Sequence, residues 1–521
     1  MTVLEHIARD SGSNAFPGIL AADDHDRRLV DHVHPSGWVN PVPASRYNLV
    51  VIGGGTAGLV SAAGAAGLGA RVALVERRLL GGDCLNYGCV PSKALLRAAR
   101  AVSDARRAGD FGVTPASGAA ADFEAVMTRL RALRAAIGAH DSARRFRDLG
   151  VDVFLGDARF VDRNTVAVDG QRLRFARAVV ATGARPAAPA IPGLAEAGFL
   201  TNETLFGLTR LPRRLIVIGA GPIGCEMAQA FARFGSHVTI VSVDPTILPR
   251  EDADAARVVQ DQLVRDGVTL NLGARPTSVR RSGPDVVLSF DRGRGSESVE
   301  GDAILVAVGR APNVEGIGLE SAGVAYTERG VTVDDRLRTT NRRIYAAGDV
   351  CSRFQFTHAA DAMARIVIQN ALFFGRRKAS ALVMPWCTYT DPEVAHVGLY
   401  EAEARERGHA VQTLDVGFDH VDRALLDGEP EGFARLHVDR RGRILGGTIV
   451  ARHAGEMIGE LSLAMTAGLG AAALSSTIHP YPTQAEVLRK LGDTYRRSQV
   501  TPRVRGLLER FFAWRRRGPG L

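Results

Sequence analysis

Apolar residues come in short runs separated by glycine. From Tyr47 the chain reads NLVVIG, breaks at glycines, passes through a stretch of small residues and returns to an apolar run, RVALVE. That succession predicts a strand, a tight turn, a helix and a second strand, a βαβ unit. The pattern recurs: NLVVIGGGTAGLVSAAGAAGLGARVALVE superposes without gaps on RLIVIGAGPIGCEMAQAFARFGSHVTIVS. Gly53, Gly55, Gly58, Gly69 and Val72 fall on Gly219, Gly221, Gly224, Gly235 and Val238, an internal repeat. Short runs such as RAVVATGARP, DAILVAVGRAPN and RRIYAAGDV predict strands that complete a sheet around each unit. From about Met384 the strands GFARLHVD and ILGGTIVA alternate with an alanine-rich helix and no glycine fingerprint, so this region has another task.

The two ends differ from this pattern. Residues 1–46 are polar and interrupted by prolines, which predicts an irregular extension on the surface. Within it, His32 and His34 form a candidate metal pair without a further ligand cluster nearby. Near the other end, Val504, Leu507, Leu508, Phe511 and Phe512 fall on one face of a helix flanked by arginines. That face suits a membrane surface or a protein partner, and docking on the chain's own dimer is the favoured reading.

Composition narrows the classes. A chain of 521 residues exceeds a single core, so two or three domains are expected. With 46% apolar and 23% charged residues the chain reads as globular. No apolar stretch is long enough to span a bilayer and the start has no basic-then-apolar leader pattern, so the expected location is cytoplasmic. The net charge of +9 is spread along the chain without a nucleic-acid motif, which argues against nucleic acid as a partner. Five cysteines, 84, 89, 225, 351 and 387, do not suggest a secreted disulfide framework.

In each repeat the glycines permit a tight turn and let a pyrophosphate approach the helix N-terminus, where free N–H groups favour an anion. Two such units imply two bound dinucleotides. Glu76, ending the second strand of the first unit, suits the hydroxyls of an adenosine ribose. Ser242 holds the same place in the second unit and leaves NADH and NADPH both open.

The most specific segment is GGDCLNYGCVPSK, from Gly81 to Lys93. It resembles the redox-active disulfide segment of the class I pyridine nucleotide-disulfide oxidoreductases, the family of glutathione reductase, lipoamide dehydrogenase and mercuric reductase. The resemblance covers about residues 47 to 495 and is supported by Ala181-Thr182-Gly183, by Val308 to Asn313 with Gly309, and by Tyr345 to Asp349. It implies a Cys84–Cys89 disulfide, with Cys89 facing the flavin and Cys84 exchanging with substrate. Five residues of separation place the two on different sides of an ideal helix, so the bond needs a bent start, which Gly88 permits. Two separate buried thiols or half a zinc site are the alternatives, although no second cysteine pair matches. Cys225, Cys351 and Cys387 read as core cysteines.

The family implies an α/β fold of two Rossmann-like dinucleotide-binding domains, for FAD and NAD(P), plus a C-terminal α+β dimerisation domain. The spans expected are 1–46 for the extension, 47–210 and 311–383 for the two parts of the FAD domain, 211–310 for NAD(P), 384–495 for dimerisation and 496–521 for a basic tail. FAD would be held by Gly53, Gly55, Gly58, Glu76, Gly82, Thr182, Gly183 and Asp349. NADH or NADPH would be held by Gly219, Gly221, Gly224, Ser242 and Gly309. Lys93 and Glu226 resemble the pair beside the flavin ring. In His479-Pro480-Tyr481-Pro482-Thr483-Gln484-Ala485-Glu486, His479 resembles the family's acid and base, with Glu486 to orient it. The family shares each active site between the subunits of a homodimer.

The implied function is passage of electrons from NAD(P)H through flavin to Cys84–Cys89 and on to a small disulfide or related acceptor. The Pro-Tyr-x-Thr-x-x-Glu run resembles mercuric reductase more closely than glutathione reductase or lipoamide dehydrogenase, but FFAWRRRGPGL carries no terminal cysteine pair. A lipoamide dehydrogenase-type subunit of a larger complex and a nonenzymatic redox sensor are the alternatives.

Overall fold

The computed structural model describes residues 16–114, 120–293 and 295–517. It divides into two compact units, one built from the chain up to Pro249 with Leu263–Leu382, the other from Arg250–Gln262 with the chain from Val383 onward.

In the first unit the strands Val151–Leu155, Val72–Glu76, Tyr47–Ile52, Gln171–Val180 and Ile344–Ala346 lie side by side in that order, all parallel. Alternate residues of Tyr47–Ile52 enter different cores: Leu49 and Val51 join Val72 and Leu74, while Val50 and Ile52 join Ala73 and Val75. Burial on both faces explains why the run is continuously apolar rather than alternating. The second repeat builds a four-stranded parallel sheet in the order Thr269–Asn271, His237–Val241, Arg214–Ile218, Ala303–Val306. Both sheets are of the Rossmann type.

The repeat persists at atomic scale. Gly53 and Gly219 have φ of +104° and +107°. A Cβ on Gly58 would lie 1.8 Å from Gly53 O, and one on Gly224 would lie 2.1 Å from Gly219 O. These glycines are required by the crossing of helix and strand.

The extension departs from the irregular structure expected for it. Asp24–Val33 is a helix whose N-cap, Asp23, accepts from the N–H groups of His25 and Asp26. Ile19, Leu29 and Val33 are fully buried, and Asp26 meets Arg134 at 2.6 Å with both side chains out of solvent. The sequence pattern was hidden because a buried aspartate looks like a surface residue until its arginine, 108 positions away, is known. Nδ1 of His34 contacts the carbonyl of Arg78, and no group of three metal-ligating side chains occurs among the described residues.

The second unit holds a five-stranded antiparallel sheet, in the order Pro385–Thr388, Glu393–Gly398, Ile444–Ala451, Phe433–Val438, Gln412–Gly417. Its core also takes in the helices Ala454–Thr466 and Glu486–Ser498. Residues 250–262, inside the span read as the NAD(P) domain, belong to this unit. Glu251 accepts from Trp386 Nε1 at 2.8 Å and from Tyr400 Oη at 2.5 Å, and Arg435 pairs with Asp252 at 3.1 Å. No helix among the described residues is long and apolar enough to cross a membrane.

Candidate active site

The short helix Gly82–Asn86 carries Cys84, and the long helix Cys89–Arg106 begins at Cys89. The chain bends between them at Gly88, where a Cβ would meet Asp83 Oδ2 at 2.9 Å and Asp83 O at 3.0 Å. A side chain there would crowd Asp83. The break brings together two residues that a continuous helix would separate.

Their protonation is unequal. The hydrogen bond with Cys89 raises the Cys84 thiol, and burial adds to this. The same bond lowers Cys89 to about 6, against burial, with help from Thr357 and the Lys93 charge. Thr357 Oγ1 stands 3.3 Å from Cys89 Sγ. Lys93, four residues after Cys89 and so on the same helical face, pairs with Glu226 at 2.9 Å. A thiolate is the nucleophile in exchange, so the geometry selects one sulfur of the pair as the anion.

Asp83 belongs to this centre although its motif position gave no hint of it. Asn202 Nδ2 donates to Asp83 Oδ1 at 2.9 Å and to Tyr87 O at 3.2 Å, clamping the bend. Arg310 pairs with Asp83 at 3.2 Å and stands 3.6 Å from Asp349. Burial pushes Asp349 up to about 6 against the pull of Arg310. Thr182 Oγ1 donates to Asn313 O at 2.7 Å and Asn313 Nδ2 returns to Thr182 O at 2.9 Å, joining two of the quoted motifs. Gly183, Gly309 and Gly348 all have positive φ, at +66°, +123° and +82°.

The middle glycines test the nucleotide sites. A Cβ at Gly221 would meet nothing within 4 Å, and one at Gly55 would meet only Gly82 Cα at 3.8 Å. Packing of the polypeptide therefore does not demand glycine at either position, whereas close approach of a phosphate does. Both following helices, Thr56–Gly67 and Pro222–Phe234, start without a side-chain cap, leaving first-turn N–H groups for an anion. Gly82, with φ +57°, brings its backbone against Gly55. Glu76 Oε2 accepts from Gly54 N at 2.5 Å and Oε1 from Arg78 N at 2.7 Å, which fixes the carboxylate at the strand end with lone pairs left for a ribose. Ser242 is buried and turned toward Asp244, 3.4 Å from its Oδ2. These residues fit FAD and a nicotinamide dinucleotide.

His479 does not pair as the sequence suggested. Its Nε2 lies 3.0 Å from Glu460 Oε2, on the helix Ala454–Thr466, while Glu486 is buried and paired with Arg489. Glu486 begins its helix three residues before Arg489, so the local partner takes its carboxylate. Cys225 is buried, as read, but Cys351 and Cys387 are only partly so. Each of the three sulfurs contacts a backbone carbonyl, and burial raises the Cys225 thiol and pushes Cys351 up to about 12. Neither of these two suits thiolate chemistry.

Two Rossmann sheets and a cysteine pair brought together by a bend at Gly88 define a flavin- and nicotinamide-dependent disulfide oxidoreductase. The chain belongs to the pyridine nucleotide-disulphide oxidoreductase family, which residues 47–364 match, with the family's dimerisation domain at 384–491. The family uses FAD and NAD(P)H. Mercuric reductase of Staphylococcus aureus is 36% identical over 451 residues, covering 86% of this chain and 82% of that protein. Dihydrolipoyl dehydrogenase of Bacillus subtilis is 33% identical over 465 residues, covering 85% and 97%. Among solved structures, the HOCl-induced flavoprotein disulfide reductase RclA from Escherichia coli matches with a TM-score of 0.77 at 30% identity, covering 86% of this chain and 99% of that one. The dimerisation domain supports a homodimer.

Proposed function

We propose that this protein is a stand-alone NAD(P)H-dependent reductase that delivers electrons through Cys84 to a small disulfide or related thiol-reactive acceptor. The observation that carries it is the geometry of the redox segment: the break at Gly88 sets Cys84 beside Cys89, and Cys89 lies against Thr357 on the helix that carries Lys93, the partner of Glu226. In this reading Gly53, Gly55, Gly58, Glu76, Gly82, Thr182, Gly183 and Asp349 hold FAD. Gly219, Gly221, Gly224, Ser242 and Gly309 hold the nicotinamide dinucleotide. Bound FAD supplies the capacity to take a hydride from NAD(P)H and to pass the electron pair to a disulfide.

The chain's own residues do the rest. Lys93, held by Glu226, and Thr357 keep Cys89 as the thiolate, while Cys84 retains the shared proton. His479 of the partner subunit removes that proton, and Cys84 attacks one sulfur of the acceptor. The acceptor's S–S bond breaks, a mixed disulfide with Cys84 forms, and the departing thiolate takes the proton back. Cys89 then attacks the Cys84 sulfur, releases the second thiolate and restores the intramolecular disulfide. The acceptor gains two electrons and the cysteine pair loses two.

Anaerobic titration of the FAD-loaded enzyme with NADH or NADPH, followed by alkylation and peptide mapping, tests this. Two new alkylated thiols are expected, at Cys84 and Cys89, and turnover with small disulfides in the absence of any lipoyl protein. Thiols appearing elsewhere, or turnover only with a lipoyl-bearing protein, would refute the reading.

A further inference from the structure

The helix Pro502–Arg517 lies beyond residue 491, where the match to the dimerisation domain ends. It starts at Thr501, whose hydroxyl accepts from Val504 N at 3.3 Å and whose carbonyl accepts from Arg505 N at 2.9 Å. At about 100° per residue, Val504, Leu507, Leu508, Phe511, Phe512 and Trp514 fall in one arc. Arg505 and Arg516 border one side of the arc and Arg503 and Arg510 the other. Arg515 lies within it, over the Phe511 ring at 6.0 Å. All six apolar side chains are exposed, from 39% at Val504 to 70% at Trp514. The apolar arc therefore lies outside the buried core of its own chain.

Charge selects what covers this face. Residues 502–517 carry six arginines against one glutamate, Glu509, on a chain whose net charge is already +9. The same helix of a second copy brings the same positive charge, whereas an anionic surface complements it. The apolar arc selects further: Trp and Phe favour the headgroup level of a bilayer, and arginines beside them can bury their stems while their guanidinium groups reach the phosphates. We infer that the helix Pro502–Arg517 lays its apolar arc into the headgroup region of an anionic lipid bilayer and tethers the enzyme to that surface without spanning it. This takes the place of docking on the chain's own dimer, the reading favoured from the sequence.

Cosedimentation of the full-length, FAD-loaded enzyme with phosphatidylcholine vesicles, with and without phosphatidylglycerol, tests the inference. Binding is expected to the anionic vesicles alone and to fall as salt is added. Arg505→Gln and Arg510→Gln should each weaken partition roughly fivefold. The double variant Leu508→Asp/Phe511→Asp should abolish it while NAD(P)H oxidation and the dimer mass stay as in the parent. Failure to bind, equal binding to neutral vesicles, or dissociation of the dimer by the double variant would each overturn the inference, the last by showing that a second copy covers the face.

Discussion

At the residue scale the chemistry turns on which sulfur holds the proton. Because Cys89 is lowered from the ordinary 9.0 to about 6, its thiolate appears as pH rises through that value, well below the range of a free cysteine. Iodoacetamide alkylation of the reduced enzyme should follow a single ionisation near pH 6 at Cys89. Lys93→Met, which removes a charge that favours the thiolate, should move the midpoint upward. Asp83→Asn should move it downward, because the Asp83 charge opposes both thiolates. A midpoint unmoved by either change would show that the hydrogen bond alone sets the asymmetry. His479 offers a second residue-scale prediction, since the carboxylate beside its ring is that of Glu460. Glu460→Gln should lower kcat by about tenfold or more and displace the pH profile. Glu486→Gln should leave that profile in place and lower Tm, because it breaks the ion pair of a buried carboxylate with the partly exposed Arg489.

At the scale of elements, the glycine-rich turns separate two roles that one motif joins. The third glycine of the second unit, Gly224, is pressed against a backbone carbonyl, and Gly224→Ala should destabilise the protein by about 3 kcal/mol. Gly221 meets no neighbour, so Gly221→Ala should fold normally and instead raise KM for the nicotinamide dinucleotide. Parallel thermal melts and steady-state kinetics check both, and equal losses of stability would remove the argument that the middle glycine is kept for a ligand. The bend at Gly88 shows the same logic in the redox segment. Its spacing already required a break between the cysteines, but the close approach to Asp83 that favours glycine there appears only when the loop is folded.

At the scale of the whole molecule, the proposed sharing of each site between two subunits makes a prediction that a monomeric site does not. Cys84→Ser and His479→Ala homodimers should both be inactive or nearly so, yet subunits exchanged between them should regain activity, because one site of each mixed dimer then has both residues. No recovery would place the two residues of each site in one chain. Much of the architecture was legible beforehand because it rests on local rules: continuous apolar runs for a sheet buried on both faces, glycines where strand and helix cross, and a repeat that exposes both nucleotide units. The cysteine pair was legible for the same reason, being set by a thirteen-residue segment. What the fold alone decided involves partners distant in sequence. The helix Asp24–Val33 became visible through Arg134, the placement of residues 250–262 through Trp386, Tyr400 and Arg435, and the partner of His479 through a helix nineteen positions earlier. A buried charge reads as polar surface until its counter-charge is placed beside it. Periodicity along a chain carries no information about that distant partner, whereas packing in three dimensions does.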